Sequence, residues 1–324
     1  MTTETKRSIR SWLSGRKVRT IQEKIITAIL FLCAFFTVLT TIGIIFTLFS
    51  EGIGFFFRPE VQLGKFLTGT RWQPLSSNPT PDDFGILPLI NGTLMVAVFS
   101  IAVAVPLGLG SAIYLSEYAS ERVRGILKPL LEVLAGVPTV VYGYFAISFI
   151  TPLLRTIADF INASLGTGIE VDFFNALSAS IVVGVMIIPM VSSISEDAMR
   201  AVPRSLREAA YGLGATKFEV ATKVVVPAAL SGIMAAFILA FSRAIGETMA
   251  VTVAAGSTPR MTLNPLDSIQ TMTSFIVQVS FGDAPTGSIN GQSIFAVGST
   301  LFIITFIMNI ISNRILNRFR EVYD

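Results

Sequence analysis

Residues 25–49, IITAILFLCAFFTVLTTIGIIFTLF, run for 25 positions without one charged side chain. A helix needs about 20 apolar residues to cross a hydrocarbon core of about 30 Å, whereas a helix on a soluble core keeps one polar face. A run that is apolar on every face fits lipid and not a water-bathed domain. Comparable runs recur at about 88–114, 129–150, 176–195, 228–254 and 292–313, in a chain that is 52% hydrophobic and 14% charged. The reading is an all-α polytopic membrane protein of about six transmembrane helices.

The first run is too long for the core of a cleaved signal peptide. It follows a basic segment, 1–24, that carries Lys6, Arg7, Arg10, Arg16, Lys17, Arg19 and Lys24. Together they read as a cytoplasmic N-terminal segment and a signal anchor at 25–49. Lysine and arginine counts set the orientation. With the N-terminus inside, the inner segments hold 18 of the 24 basic residues and the outer loops 5, while acidic residues divide 10 to 9. That bias places both termini in the cytoplasm. It also accounts for the net charge of +3 without any nucleic-acid partner. The outer stretch SIQTMTSFIVQV, 268–279, is too short to cross and reads as an interfacial or re-entrant helix. A single cysteine, Cys33, and the absence of histidine exclude an intrachain disulfide and His-based catalysis. Neither a catalytic residue nor a metal site is expected.

The longest inner loop reads MRAVPRSLREAAYGLGATKFEVATKVVVPAAL, 199–230. Two short amphipathic stretches flank a glycine-rich turn at Gly212 and Gly214, and Pro227 marks the start of the fifth span. Such a helix pair must cover its apolar side. Two readings fit: packing on headgroups or its own bundle, and docking of a soluble partner with a helix seated in a groove. The chain has no phosphate-cradling G-x-x-x-x-G-K-[ST] loop; GLGATKF lacks the second glycine beside lysine. ATP hydrolysis by that route would have to come from another subunit.

Within the fifth apolar run stands SRAIGETMA, 242–250, with Arg243 and Glu247 four residues apart. On one continuous helix they would lie about 40° apart and could touch. An ionised group in hydrocarbon costs at least about 2.5–3.5 kcal/mol, so the pair should face protein or a water-filled path. A structural ion pair or outward snorkelling is one reading. The other is an anion site, in which the planar guanidinium takes a tetrahedral oxyanion and Glu247 holds that fork while the site is empty. By contrast, Glu132 with Lys128 reads as a structural interfacial pair, and EDAMR, 196–200, as a solvated face.

Glu208, Ala209, Ala210, Gly214 and then Val224, Val226 and Pro227 resemble the EAA motif of binding-protein-dependent ABC importer permeases, with valines where isoleucine and leucine are usual. FSRAIGETMAVTVAAG and GVPTVVYGYFAI (136–147) bring the chain closer to the PstC-type permeases of bacterial phosphate importers, over roughly 85–314. The resemblance implies a type I ABC importer transmembrane domain at 85–314 with its coupling loop at 199–228, in a bacterial plasma membrane. It further implies a second, similar permease, two ATP-binding subunits that use ATP and magnesium, and an extracytoplasmic phosphate-binding protein. This chain would hold no cofactor of its own. Arg243 and Glu247 match the charged pair associated with phosphate passage in that family. Sulfate and molybdate permeases share related stretches, so another oxyanion is the nearest alternative. An ion-gradient carrier using Glu247 as a proton relay is the more distant one.

Overall fold

The computed structural model describes residues 3–74, 76, 79–282, 285 and 287–318, with side chains described between residues 22 and 314. Among these residues the regular elements are helical, and the β structure is a single antiparallel bridge between Trp72 and Phe84. The chain divides after Glu51. The first unit is a single arm, the part of α1 (Thr3–Phe56) up to that point. Within Gln22–Phe56, α1 contains an 18-residue stretch with a mean hydropathy of 2.6, and over 25–49 it is apolar around its whole circumference, as lipid immersion requires. Residues 3–24 and the run at 25–49 thus belong to one continuous helix. The basic side chains before Gln22 lie outside the described residues.

The second unit begins with the short α2 (Leu63–Thr68) and is built around α3 (Leu87–Ile113), which continues as a wider π-turn to Tyr118. Next come α4 (Glu121–Ala135), α5 (Thr139–Phe145) and α6 (Thr151–Leu165), the last two joined through a π-turn into one apolar run, Thr139–Leu165. The third span therefore starts ten residues later than the 129–150 stretch suggests. Pro138 is the cause: it has no N–H to donate and pushes the preceding residue away from helical geometry, so it caps α5 in an extended conformation (φ −57°, ψ 136°). What remains upstream, α4, is amphipathic and separate. Glu132 consequently lies outside any span and is exposed.

The most buried span is α7 (Ala176–Ala201), which packs along α3 at close range. Small residues permit the approach. A Cβ at Gly108 would stand 2.7 Å from Val191, and one at Gly184 would stand 2.9 Å from the Ser100 carbonyl oxygen. The loop after α7 holds α8 (Arg204–Gly212), α9 (Lys217–Val220) and α10 (Val226–Ala228). The fifth span is not the continuous 228–254 helix that the apolar run suggests. It is α11 (Leu230–Ile245), which meets the preceding helical run at 72°, followed by a break and the short α12 (Met249–Ala254). Then α13 (Met272–Ser280) folds back into the bundle, with Met272, Phe275 and Val279 buried, and α14 (Ile289–Arg318) crosses last.

Two satellite cores mark the ends of α3. Phe55, Phe66, Trp72, Phe84 and Phe275 form an aromatic cluster with Leu89 at its start. Met199, Val202, Val220, Val225 and Ile233 gather around Ala112 near its end. Leu89 to Ala112 is about 35 Å of helix, so the two clusters stand on opposite sides of a bilayer.

Candidate functional site

At the Ala112 end, α8 and α9 are separated by a turn whose residues each have a fixed duty. Gly214 has φ +82°, a left-handed conformation that glycine adopts without a Cβ clash. Its N–H donates to the Tyr211 carbonyl at 2.9 Å, and the Ala215 N–H donates to the Ala210 carbonyl at 3.1 Å. These two bonds are the Schellman arrangement that closes a helix C-terminus, and Ala210 and Ala215 face the same small core. The four-residue step from Ala210 to Gly214 is thus a helix stop. Thr216 then opens α9 through a capping box with Glu219, whose carboxylate accepts from the Thr216 N–H at 3.0 Å.

Glu208 and Ala209 are exposed on α8, and beyond them the turn presents Tyr211, Leu213 (90% exposed) and Phe218 (67% exposed). Val224 and Val226 are half-buried, and the exposed Pro227 lies just before the 72° bend into α11. The loop is therefore tethered from below and bare on its outer face. Its tether is Arg207, a residue that sequence reasoning passed over. The guanidinium pairs with Glu117 at 3.0 Å and donates to the Val202 and Met199 carbonyls at 2.6 and 2.8 Å. It therefore closes the end of α7 and pins α8 to the end of α3 at once.

A second network at the same end was also missed. Glu196 is fully buried and receives Arg124 and, at 3.0 Å, Lys128, while Asp197 takes the same ammonium at 2.8 Å. The EDAMR stretch is thus solvated only in part, with Asp197 and Arg200 exposed and Glu196 and Met199 buried, and Lys128 pairs with α7 and not with Glu132. Burial alone would lower the Lys128 pKa, but the hydrogen bonds to Asp197 and Glu196 outweigh it and raise the value above that of ordinary lysine. Lys128 and Asp197 lie 69 residues apart along the chain, and Arg124 and Glu196 lie 72 apart, distances at which no local pattern signals the pairing.

The structure does not hold Arg243 and Glu247 as a pair. Helix α11 stops at Ile245, Gly246 is its C-cap, and α12 starts only at Met249, so a four-residue step no longer stacks the side chains. Arg243 is exposed on the last turn of α11, and no ion pair joins it to Glu247 among the described residues. Glu247 is buried at the break. Its Oε1 accepts from the Ala250 N–H at 3.2 Å, and its carbonyl accepts from the Thr273 hydroxyl at 2.8 Å. A carboxylate there satisfies a free N–H of α12 and complements the positive end of that helix. The break is thereby fixed to α13, and a guanidinium is left unpaired at the edge of it.

A family model described as "binding-protein-dependent transport system inner membrane component" matches residues 104–321. The probable ABC transporter permease protein YqgH of Bacillus subtilis (strain 168) is 35% identical over 310 residues, 96% of each chain. The phosphate transport system permease protein PstC of Mesorhizobium japonicum is 34% identical over 262 residues, 78% of each chain. Among solved structures, a bacterial alginate ABC transporter in complex with alginate pentasaccharide-bound periplasmic protein contains a chain that superposes with a TM-score of 0.59 at 14% identity. The match covers 89% of this chain and 94% of that one.

Proposed function

Because the chain belongs to the family of binding-protein-dependent transport system inner membrane components, we propose that it is the permease subunit of an ATP-driven importer of inorganic phosphate. In this reading it pairs with a second, similar permease, two ATP-binding subunits and an extracytoplasmic phosphate-binding protein. The unpaired Arg243 guanidinium at a broken helix carries the proposal. A permanent cation that is exposed in a membrane-spanning bundle, with no carboxylate to neutralise it among the described residues, calls for a mobile anion. Glu247 contributes by fixing the break, not by gripping Arg243. The relatives named PstC support phosphate as that anion.

The bare face of α8 and the turn to Phe218 supports docking on an ATPase subunit, which puts that end of the bundle and both chain termini in the cytoplasm. ATP, held with magnesium by that partner, drives closure of the paired ATPase subunits. The loop then carries the movement to α7 through Arg207 and to α11 through the bend at Pro227. The cavity turns outward, the binding protein delivers phosphate, and Arg243 receives it. Nucleotide drives the cycle, and the ligand only biases it.

The test uses the assembled complex in vesicles with the binding protein present. ATP hydrolysis should rise with phosphate, and labelled phosphate uptake should survive competition by sulfate and molybdate. Stronger competition by either would reassign the anion while leaving the class intact. Arg243→Gln should abolish uptake, and Arg243→Lys should recover little of it, because an ammonium lacks the planar fork. Wild-type uptake by Arg243→Gln would end the proposal.

A further inference from the structure

Helix α14 packs along α11 and carries an amide, Asn309, inside its apolar span Ile289–Arg314. Phe306, Ile307 and Ile310 around it are exposed, and so is Asn309 itself. Among the described residues the amide has one hydrogen bond, and it is long: the Ser242 hydroxyl of α11 donates to Asn309 Oδ1 at 3.4 Å. One Oδ1 lone pair and both Nδ2 hydrogens remain for another partner. An unsatisfied amide is costly in hydrocarbon, so this one should meet protein or a polar ligand. The residue after Ser242 is Arg243, the exposed cation. Successive side chains diverge by about 100° on a helix, so Arg243 flanks the Ser242–Asn309 contact. Its long stem can turn the guanidinium toward an anion seated there.

We propose that Asn309 is the residue by which this permease tells phosphate from sulfate and molybdate. Its Oδ1 accepts the proton of a hydrogen phosphate, and its Nδ2 donates to a bare oxygen of the same anion. This rests on the reading of Arg243 as the anion site. A guanidinium only donates, and by itself takes any tetrahedral oxyanion of suitable charge. Near neutral pH phosphate keeps at least one P–OH, whereas sulfate and molybdate are fully deprotonated. An acceptor facing the anion therefore meets a donor on phosphate and a second lone pair on sulfate. A site built to hydrogen-bond a hydroxyl rejects the analogue that lacks it, because a polar group is then left unpaired. A neutral side chain of a partner subunit would satisfy the amide but leave Arg243 without a counter-charge; a protonated oxyanion satisfies both.

Binding of labelled phosphate to the purified complex of permeases and ATPase subunits tests the assignment. The binding protein is left out, because its own selectivity would mask that of the permease. Unlabelled arsenate, which keeps an As–OH, should displace phosphate from wild type about tenfold better than sulfate does. Arsenate is the larger anion, so fit by size would give the opposite order. Asn309→Leu suits an apolar span and should fold; it should weaken phosphate binding about tenfold and bring arsenate and sulfate level. Asn309→Ser, which keeps an acceptor, should restore part of the preference. An unchanged preference in Asn309→Leu, or equal displacement by arsenate and sulfate from wild type, would overturn the proposal and leave Arg243 as the anion site. Phosphate binding that survives Arg243→Gln would instead remove the reading on which the proposal rests.

Discussion

Glu247 shows how one residue changes the reading of its neighbour. As a partner for Arg243 it would neutralise the cation; as a cap on α12 it leaves the cation free and ties the break to Thr273. The two roles separate by substitution. Glu247→Gln keeps an acceptor oxygen for the Ala250 N–H and should fold normally. Glu247→Ala removes it and should cost about 1–2 kcal/mol, the usual loss when a cap is removed from a partly buried helix start. Thermal melting of the purified complex reads the difference, and equal destabilisation by both would mean that the charge, and not the cap, is what the site requires. Sequence reasoning found both residues because charges in an apolar run are conspicuous. It misjudged their geometry because glycine at 246 was read as part of a helix, and a glycine at a C-cap looks the same in sequence as a glycine within one.

At the scale of elements, α4 owes its position to ion pairs that no periodicity encodes. Its Lys128 offers a pH test with a definite sign. Because the folded pKa is raised, the lysine's contribution to stability is complete below the ordinary value of 10.5 and is lost as pH rises through the higher folded value. Lys128→Met should therefore lower the melting temperature by a constant amount near neutrality, with the gap to wild type narrowing above that pH. A gap that stays constant to pH 11 would show that packing of the lysine stem, not its charge, holds α4 to α7. The spans themselves were legible wherever apolar runs end in polar loops, as for α3, α7 and α14. They were misplaced where proline or glycine interrupts an apolar run: Pro138 detached α4 from the third span, and Gly246 divided the fifth. Length and hydropathy report how much lipid-compatible chain is present, but backbone geometry decides where it turns.

For the molecule as a whole, α7 is the member that connects the two ends. Near the helix break, the Asn175 N–H at its start donates to the Ala254 carbonyl of α12 at 3.1 Å; at the other end, its Met199 carbonyl receives Arg207 of α8. A rigid helix held at both ends can carry movement of the proposed docking loop about 39 Å toward the proposed anion site, but a continuous path is not by itself coupling. The Glu117–Arg207 pair supplies the decisive measurement. Glu117 is 6% exposed and Arg207 16%, so Arg207→Met alone strands a buried carboxylate and should cost about 3 kcal/mol, the low end for a buried pair. Glu117→Gln with Arg207→Met removes both charges and should recover the part of that loss due to the stranded carboxylate, but not the part due to the Met199 and Val202 carbonyls left without their donor. If the ion pair only stabilises the fold, the double variant will also recover stimulation of ATP hydrolysis by the binding protein. If the pair transmits the movement of α8 to α3 and α7, the double variant will melt well above Arg207→Met alone while stimulation stays lost. The second outcome is expected, because among the described residues Arg207 is the side chain that bonds the end of α7, the end of α3 and α8 together.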